Sequence, residues 1–171
     1  MELAQIARSA TLLLVLLNPF LLTVYLLGLV QRLKIGPFSY VLARAAAFSG
    51  VVFALFAWLG DFIFQDILQV RFAAFLVFGG IVFVVVALRF MFQGPTALES
   101  LRGGADEPGA GSIAMPFMIG AGTLNASVLA GSRQPVAGAI VAIVSALAVT
   151  VGAVVAVKAL QEFVSAQHEK L

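Results

Sequence analysis

Charged residues cut this chain into long apolar runs. Uncharged stretches cover residues 9–31, 45–60, 72–88, 109–132 and 134–157. A membrane-spanning helix needs about 20 apolar residues. The second stretch reaches that length by starting near Pro37 and letting Arg44 snorkel along its stem, and the third by carrying Arg89 at its end. The pattern therefore predicts an all-α membrane protein with five transmembrane segments. Two of the segments are interrupted where a helix should be continuous: Asn18-Pro19-Phe20 in the first and Met115-Pro116-Phe117 in the fourth. A proline inside a helix removes one backbone hydrogen bond and crowds the preceding turn, and Gly120-Ala121-Gly122 eases further unwinding after the second proline. The fourth segment is accordingly predicted as a broken helix, crossing as two half-helices or partly re-entrant.

Composition agrees with a bilayer as the solvent. Hydrophobic residues make up 62% of the 171 positions and charged ones 11%, with a mean hydropathy of +1.10, too little polar surface to coat a soluble globule. The chain has no cysteine, which removes disulfides, thiolate metal sites and cysteine nucleophiles. The formal charge of +2 includes no basic run, so nucleic acid is not an expected partner. The first apolar stretch is too long for the core of a cleavable signal peptide.

The ten Lys and Arg residues set an expected orientation. With the amino terminus outside and five crossings, Arg32, Lys34, Arg44, Arg89, Arg102, Lys158 and Lys170 fall inside, and Arg8, Arg71 and Arg133 outside. Seven against three favours an external amino terminus and a cytoplasmic carboxyl terminus. Residues 93–112 hold Gly94-Pro95, Gly103-Gly104 and Pro108-Gly109 among charged positions and read as a flexible linker. It separates a first repeat, residues 1–92 with three membrane helices, from residues 113–171, which hold the broken helix, one further membrane helix and a polar tail.

The two halves superpose in sequence. Pro19 to Pro37 is 18 residues and Pro116 to Pro135 is 19, and the two breaks lie 97 residues apart. Three crossings between them put the copies in opposite orientations, an inverted 3+3-type repeat of the kind found in secondary transporters. The last helix of the second copy is missing, either because a neighbouring subunit replaces it or because the chain is truncated before it.

Matched breaks in lipid point to a site, since unpaired backbone groups are tolerated only against protein or a water-filled cavity. The expected substrate-binding residues are Asn18, Pro19 and Thr23 at the first break and Gly120, Gly122, Thr123 and Asn125 at the second. Unwound carbonyls can coordinate Na+, making it the candidate coupling ion, and half-helix amino termini favour a carboxylate. No other cofactor is expected, and the residues leave any metal ligand set unknown. Taken singly, these side chains would more often bond to backbone or a neighbouring helix. The ridge of Gly138, Ala142, Ala146 and Thr150 is expected to pack within the protomer or dimer. Gly79-Gly80 allows close backbone approach, and Asp61, Asp66 and His168 are expected in solvent. All eight acidic residues fall outside the uncharged stretches, which disfavours a buried carboxylate as proton relay. No zinc pair, nucleophile elbow or phosphate loop is present, so no catalytic residue and no enzyme activity are expected.

Leu17-Asn18-Pro19-Phe20, Phe78-Gly79-Gly80-Ile81 and the run Met115-Pro116-Phe117-Met118-Ile119-Gly120-Ala121-Gly122-Thr123 resemble the MarC family of integral membrane proteins over nearly the whole chain. The resemblance implies a six-helix inner-membrane protein of bacteria or archaea, linked in some members to transport of small neutral amino acids. The family commonly has Gly-Pro-Gly in its second broken segment, where Ala121 stands here. The function expected is transport of small neutral solutes by alternating access, with the bilayer, the solute and a second copy of the chain as partners. A small-molecule exporter or channel, or a non-transporting scaffold or truncated remnant, are the alternatives.

Overall fold

The computed structural model describes residues 2–26, 30–31, 33–62, 72–93 and 118–168. The regular structure among them is all helical: α1 Glu2–Leu17, α2 Pro19–Tyr25, α3 Ile35–Phe62, α4 Phe72–Gln93, α5 Ala121–Arg133 and α6 Val136–His168. Pro116, the linker positions 94–112 and Asp66 lie outside the described residues.

Among the described residues, three stretches are long and apolar enough to cross a membrane, where the sequence pattern predicts five segments: Leu3–Tyr25, Ile35–Gly60 and Val136–Phe163. Their outward faces carry Val15, Phe20, Val51, Trp58, Val144 and Phe163, all exposed. Water would penalise such a surface, and lipid tails would cover it. Helix α3 starts at Ile35 with Pro37 in its first turn, where a missing N–H breaks no internal bond. The Arg44 guanidinium folds back over the Tyr40 ring, 5.6 Å from its centre, as a snorkelling stem would carry it. The span of α6 reaches Phe163 and so includes Lys158 and Glu162, which the sequence pattern put outside it.

One-sided stripes build the core. Phe38, Leu42, Ala45, Ser49, Phe53 and Ala57 of α3 recur at three- and four-residue intervals and are buried, as are Ala139, Ala142, Ala146, Thr150, Val154 and Lys158 of α6. The small-residue ridge is thus internal packing of the protomer, with Gly138 set against Ile6.

Contacts along the stripes fix the directions of the helices. Ile6 meets Gly138, and Val30 meets Lys158. The first segment and α6 therefore run side by side in the same sense. Gly50 faces Leu147, and Ala57 faces Gly131 just before α6 begins, so α3 runs the opposite way. Helix α5 starts near the middle of α3, where Met118 meets Ser49, and climbs beside it to Gly131 at Ala57. Gly60 and Val128 meet at the same end. At Gly80 an added methyl would find open space, so close approach within the chain is not what that glycine provides; Gly131 and Gly60 serve that purpose instead.

Candidate functional site

The first segment breaks at one residue. Asn18 has φ 41° and ψ 81°, the sole positive φ outside glycine among the described residues, in the left-handed region that asparagine tolerates better than most side chains. Its N–H still donates to the Leu14 carbonyl at 3.0 Å, closing α1. Its Oδ1 accepts from the Leu21 N–H at 3.1 Å and its own carbonyl from Leu22 at 3.0 Å, opening α2. Asn18 thus ends one helix and caps the next. Pro19 occupies the first position of α2, where its lack of N–H suits the helix start but leaves the Val15 carbonyl without its usual donor four residues on. The Thr23 hydroxyl donates to the Pro19 carbonyl at 2.8 Å. Thr23 therefore secures the first turn of α2.

Strain and capping make Asn18 testable alone. Asn18→Ala is expected to lower stability by about 2 kcal/mol, about 1 from the lost cap and about 1 from alanine at positive φ. Asn18→Gly keeps the backbone free to turn and should lose about half as much. Thermal unfolding followed by circular dichroism in detergent checks both, and equal losses in the two variants would show that backbone conformation contributes nothing.

The second break is built differently. Gly120 is extended, with φ −115° and ψ 166°, a conformation open to any residue. Thr123 replaces the missing cap. Its Oγ1 accepts from the Gly120 N–H at 2.9 Å and donates towards the Met118 carbonyl at 2.9 Å and the Gly120 carbonyl at 3.0 Å. Met118 is buried, and its sulfur receives the Ser49 hydroxyl at 3.5 Å. The first internal bond of α5 runs from the Leu124 N–H to Gly120, so the N–H groups of Ala121 and Gly122 precede it and carry the positive end of the helix dipole. Asn125, one turn on and half-buried, makes no side-chain hydrogen bond among the described residues.

The two breaks are neighbours. A methyl on Gly122 would lie 3.5 Å from Leu16, two residues before Asn18, so the first turn of α5 rests on the last turn of α1. This arrangement brings the end of α1, where Pro19 offers no N–H to the Val15 carbonyl, close to the amino terminus of α5, whose first N–H groups precede its internal bonds. A match to the family described as MarC family integral membrane protein spans residues 3–170. The chain belongs to the MarC family. No curated protein and no solved structure matches it.

Sequence reasoning about this MarC chain missed the burial of one charged group near the end of α6. Lys158 is 4% exposed, donates to the Val30 carbonyl and pairs with Glu162 at 3.0 Å. Its place four residues after Val154, in step with the buried stripe of α6, was the available signal. Ser127 is fully buried and donates to the Thr123 carbonyl at 2.8 Å, extending the polar column behind the second break. Among the described residues no cluster of metal-ligating side chains occurs.

Proposed function

We propose that this MarC-family protein transports small neutral solutes, amino acids being the best chemical fit, by alternating access at its paired helix breaks. The observation that carries the reading is the seating of the second break on the first, Gly122 against Leu16. Carbonyls freed near Pro19 suit an ammonium group or Na+, and the α5 amino terminus suits a carboxylate. A zwitterion has both ends at once. Asn18, Pro19, Thr23, Gly120, Gly122, Thr123 and Asn125 would line its path, with Asn18 and Asn125 offering side-chain amides.

Helix α2 leaves its break away from the amino-terminal side, and α5 leaves its break towards that side. The opposition supports reading residues 1–92 and 113–171 as inverted repeats. Motion would centre on Asn18, because α5 is held to α3 by the Gly131–Ala57 approach and moves with it. Lys158 is buried and so leaves the count of loop charges, which becomes six basic residues on the inner side against three outside. That excess still favours an external amino terminus in a bacterial or archaeal cytoplasmic membrane.

Flux of radiolabelled glycine, alanine and serine into proteoliposomes, with and without a Na+ gradient, tests the reading. Uptake above empty vesicles is expected, with Asn125→Ala reducing it at least about tenfold, the loss of one hydrogen bond to a charged group, while insertion is unchanged. Flux without saturation would favour a channel. No flux of any solute by folded protein would leave a membrane scaffold.

A further inference from the structure

The turn between α5 and α6 holds a polar group that the break site does not use. Gln134 is 9% exposed, and among the described residues neither its Oε1 nor its Nε2 has a hydrogen-bond partner. Native proteins rarely leave a buried carboxamide empty at both ends. The residue precedes Pro135 and is extended, φ −150° and ψ 162°, as that position requires. Its Cδ lies 3.7 Å from where a methyl on Gly138 would stand, so the amide lies over the first turn of α6.

That turn opens a 33-residue helix. Its first internal bond runs from the Ala139 N–H to the Pro135 carbonyl, so the N–H groups of Val136, Ala137 and Gly138 precede it. No acidic residue stands in the first turn, and Arg133 is exposed just before it. Donors and positive potential therefore converge beside an unused carboxamide. The place is about 20 Å from the break at Gly120, the length of the 13-residue α5.

We propose that Gln134 and the first turn of α6 form a binding site for a small oxyanion carrying an adjacent N–H or O–H donor. Nε2 and the backbone N–H groups donate to the oxyanion, and Oε1 accepts from the adjacent donor. Two sources share this chemistry: a phospholipid headgroup with an amine or hydroxyl beside its phosphate, and a free amino acid with its ammonium beside its carboxylate.

The test uses the full chain in detergent. Native mass spectrometry measures retention of phosphatidylethanolamine, phosphatidylglycerol and phosphatidylcholine, the last having a phosphate but no donor. Equilibrium dialysis measures radiolabelled glycine. Wild type is expected to retain the ethanolamine or glycerol lipid over the choline lipid, or to bind glycine; the arm that responds identifies the source. Gln134→Leu should weaken that binding about tenfold, the loss of one hydrogen bond to a charged group. The same variant should raise the melting temperature, because it removes an orphaned polar group while keeping the volume. Gln134→Glu should weaken binding as well, through repulsion. Equal retention of every probe by wild type and Gln134→Leu, or binding of none, overturns the proposal and leaves a buried water as the partner of the amide.

Discussion

Gly131→Ala is expected to destabilise the protein by about 3 kcal/mol, at the upper end of the usual cost of overpacking. A methyl there would lie 1.7 Å from the Ala57 carbonyl oxygen, and the Ala57 carbonyl carbon is only 2.6 Å away. The obstacle is backbone inside α3, so no rotamer change relieves it. The two helices must part by more than 1 Å, which breaks contact along the whole length of α5. Gly60→Ala meets a softer obstacle: Val128 Cγ2 at 2.6 Å and Cγ1 at 2.8 Å. Its effect should be smaller, and Val128→Ala should rescue it. The same rescue should fail for Gly131→Ala. Gly152→Ala is the control, since a methyl there finds open space, and it should stabilise by up to about 1 kcal/mol through helix propensity. Chemical unfolding in detergent, read by circular dichroism, ranks the single variants and the two doubles with Val128→Ala. Full stability of Gly131→Ala would contradict the close approach of α5 and α3. Because α5 carries the second break, its displacement should also abolish the solute flux proposed for the paired breaks.

The membrane class, the helical character and the place of the first break were legible from periods and prolines. Spacing between charges marked the rough positions of three apolar spans, because lipid excludes charge from long stretches, but missed the extension of the last to Phe163. Asn18-Pro19 marked the break because proline lacks the donor a continuing helix needs. Other features depended on partners distant in sequence. Gly131 and Ala57 are 74 positions apart, and nothing local distinguishes Gly131 from Gly80, where an added methyl would find open space. The roles at the breaks also differed from what composition implied. Glycine seemed the flexible element at the second break, yet Gly120 adopts an ordinary extended conformation and Thr123 holds the chain in place. At the first break, asparagine rather than glycine takes the left-handed conformation, since its side chain can cap the helix that follows. Counting charges as the limits of spans puts Lys158 outside the membrane; the helical period, which puts it in line with the buried Thr150 and Val154, is the better guide.

Lys158→Met should cost about 2 kcal/mol, the range of a hydrogen bond made by a charged group. Replacing a buried ion pair with apolar side chains is often neutral or stabilising, because both desolvated partners disappear together. Here that exchange is incomplete. One partner of Lys158 is the main-chain carbonyl of Val30, near the end of the first segment, which no substitution removes and which methionine would leave buried without this donor. Glu162 contributes less, since its side chain is 39% exposed and solvent screens the pair. Glu162→Gln should therefore lose under about 1 kcal/mol, and the double variant should fall close to Lys158→Met alone. Melting temperatures of the three variants in one detergent decide between the two contacts. A Lys158→Met protein as stable as wild type would mean that the carbonyl finds another donor. A loss shared equally by both single variants would assign the stabilisation to the ion pair. The expected asymmetry makes the link from α6 to Val30 the dominant one, so that the end of the segment hinged at Asn18 is held by one ammonium. Loosening it should raise hydrogen exchange at Leu26 and Val30 while sparing Ala126 to Ala130 of α5, which runs along α3 towards the Gly131–Ala57 approach.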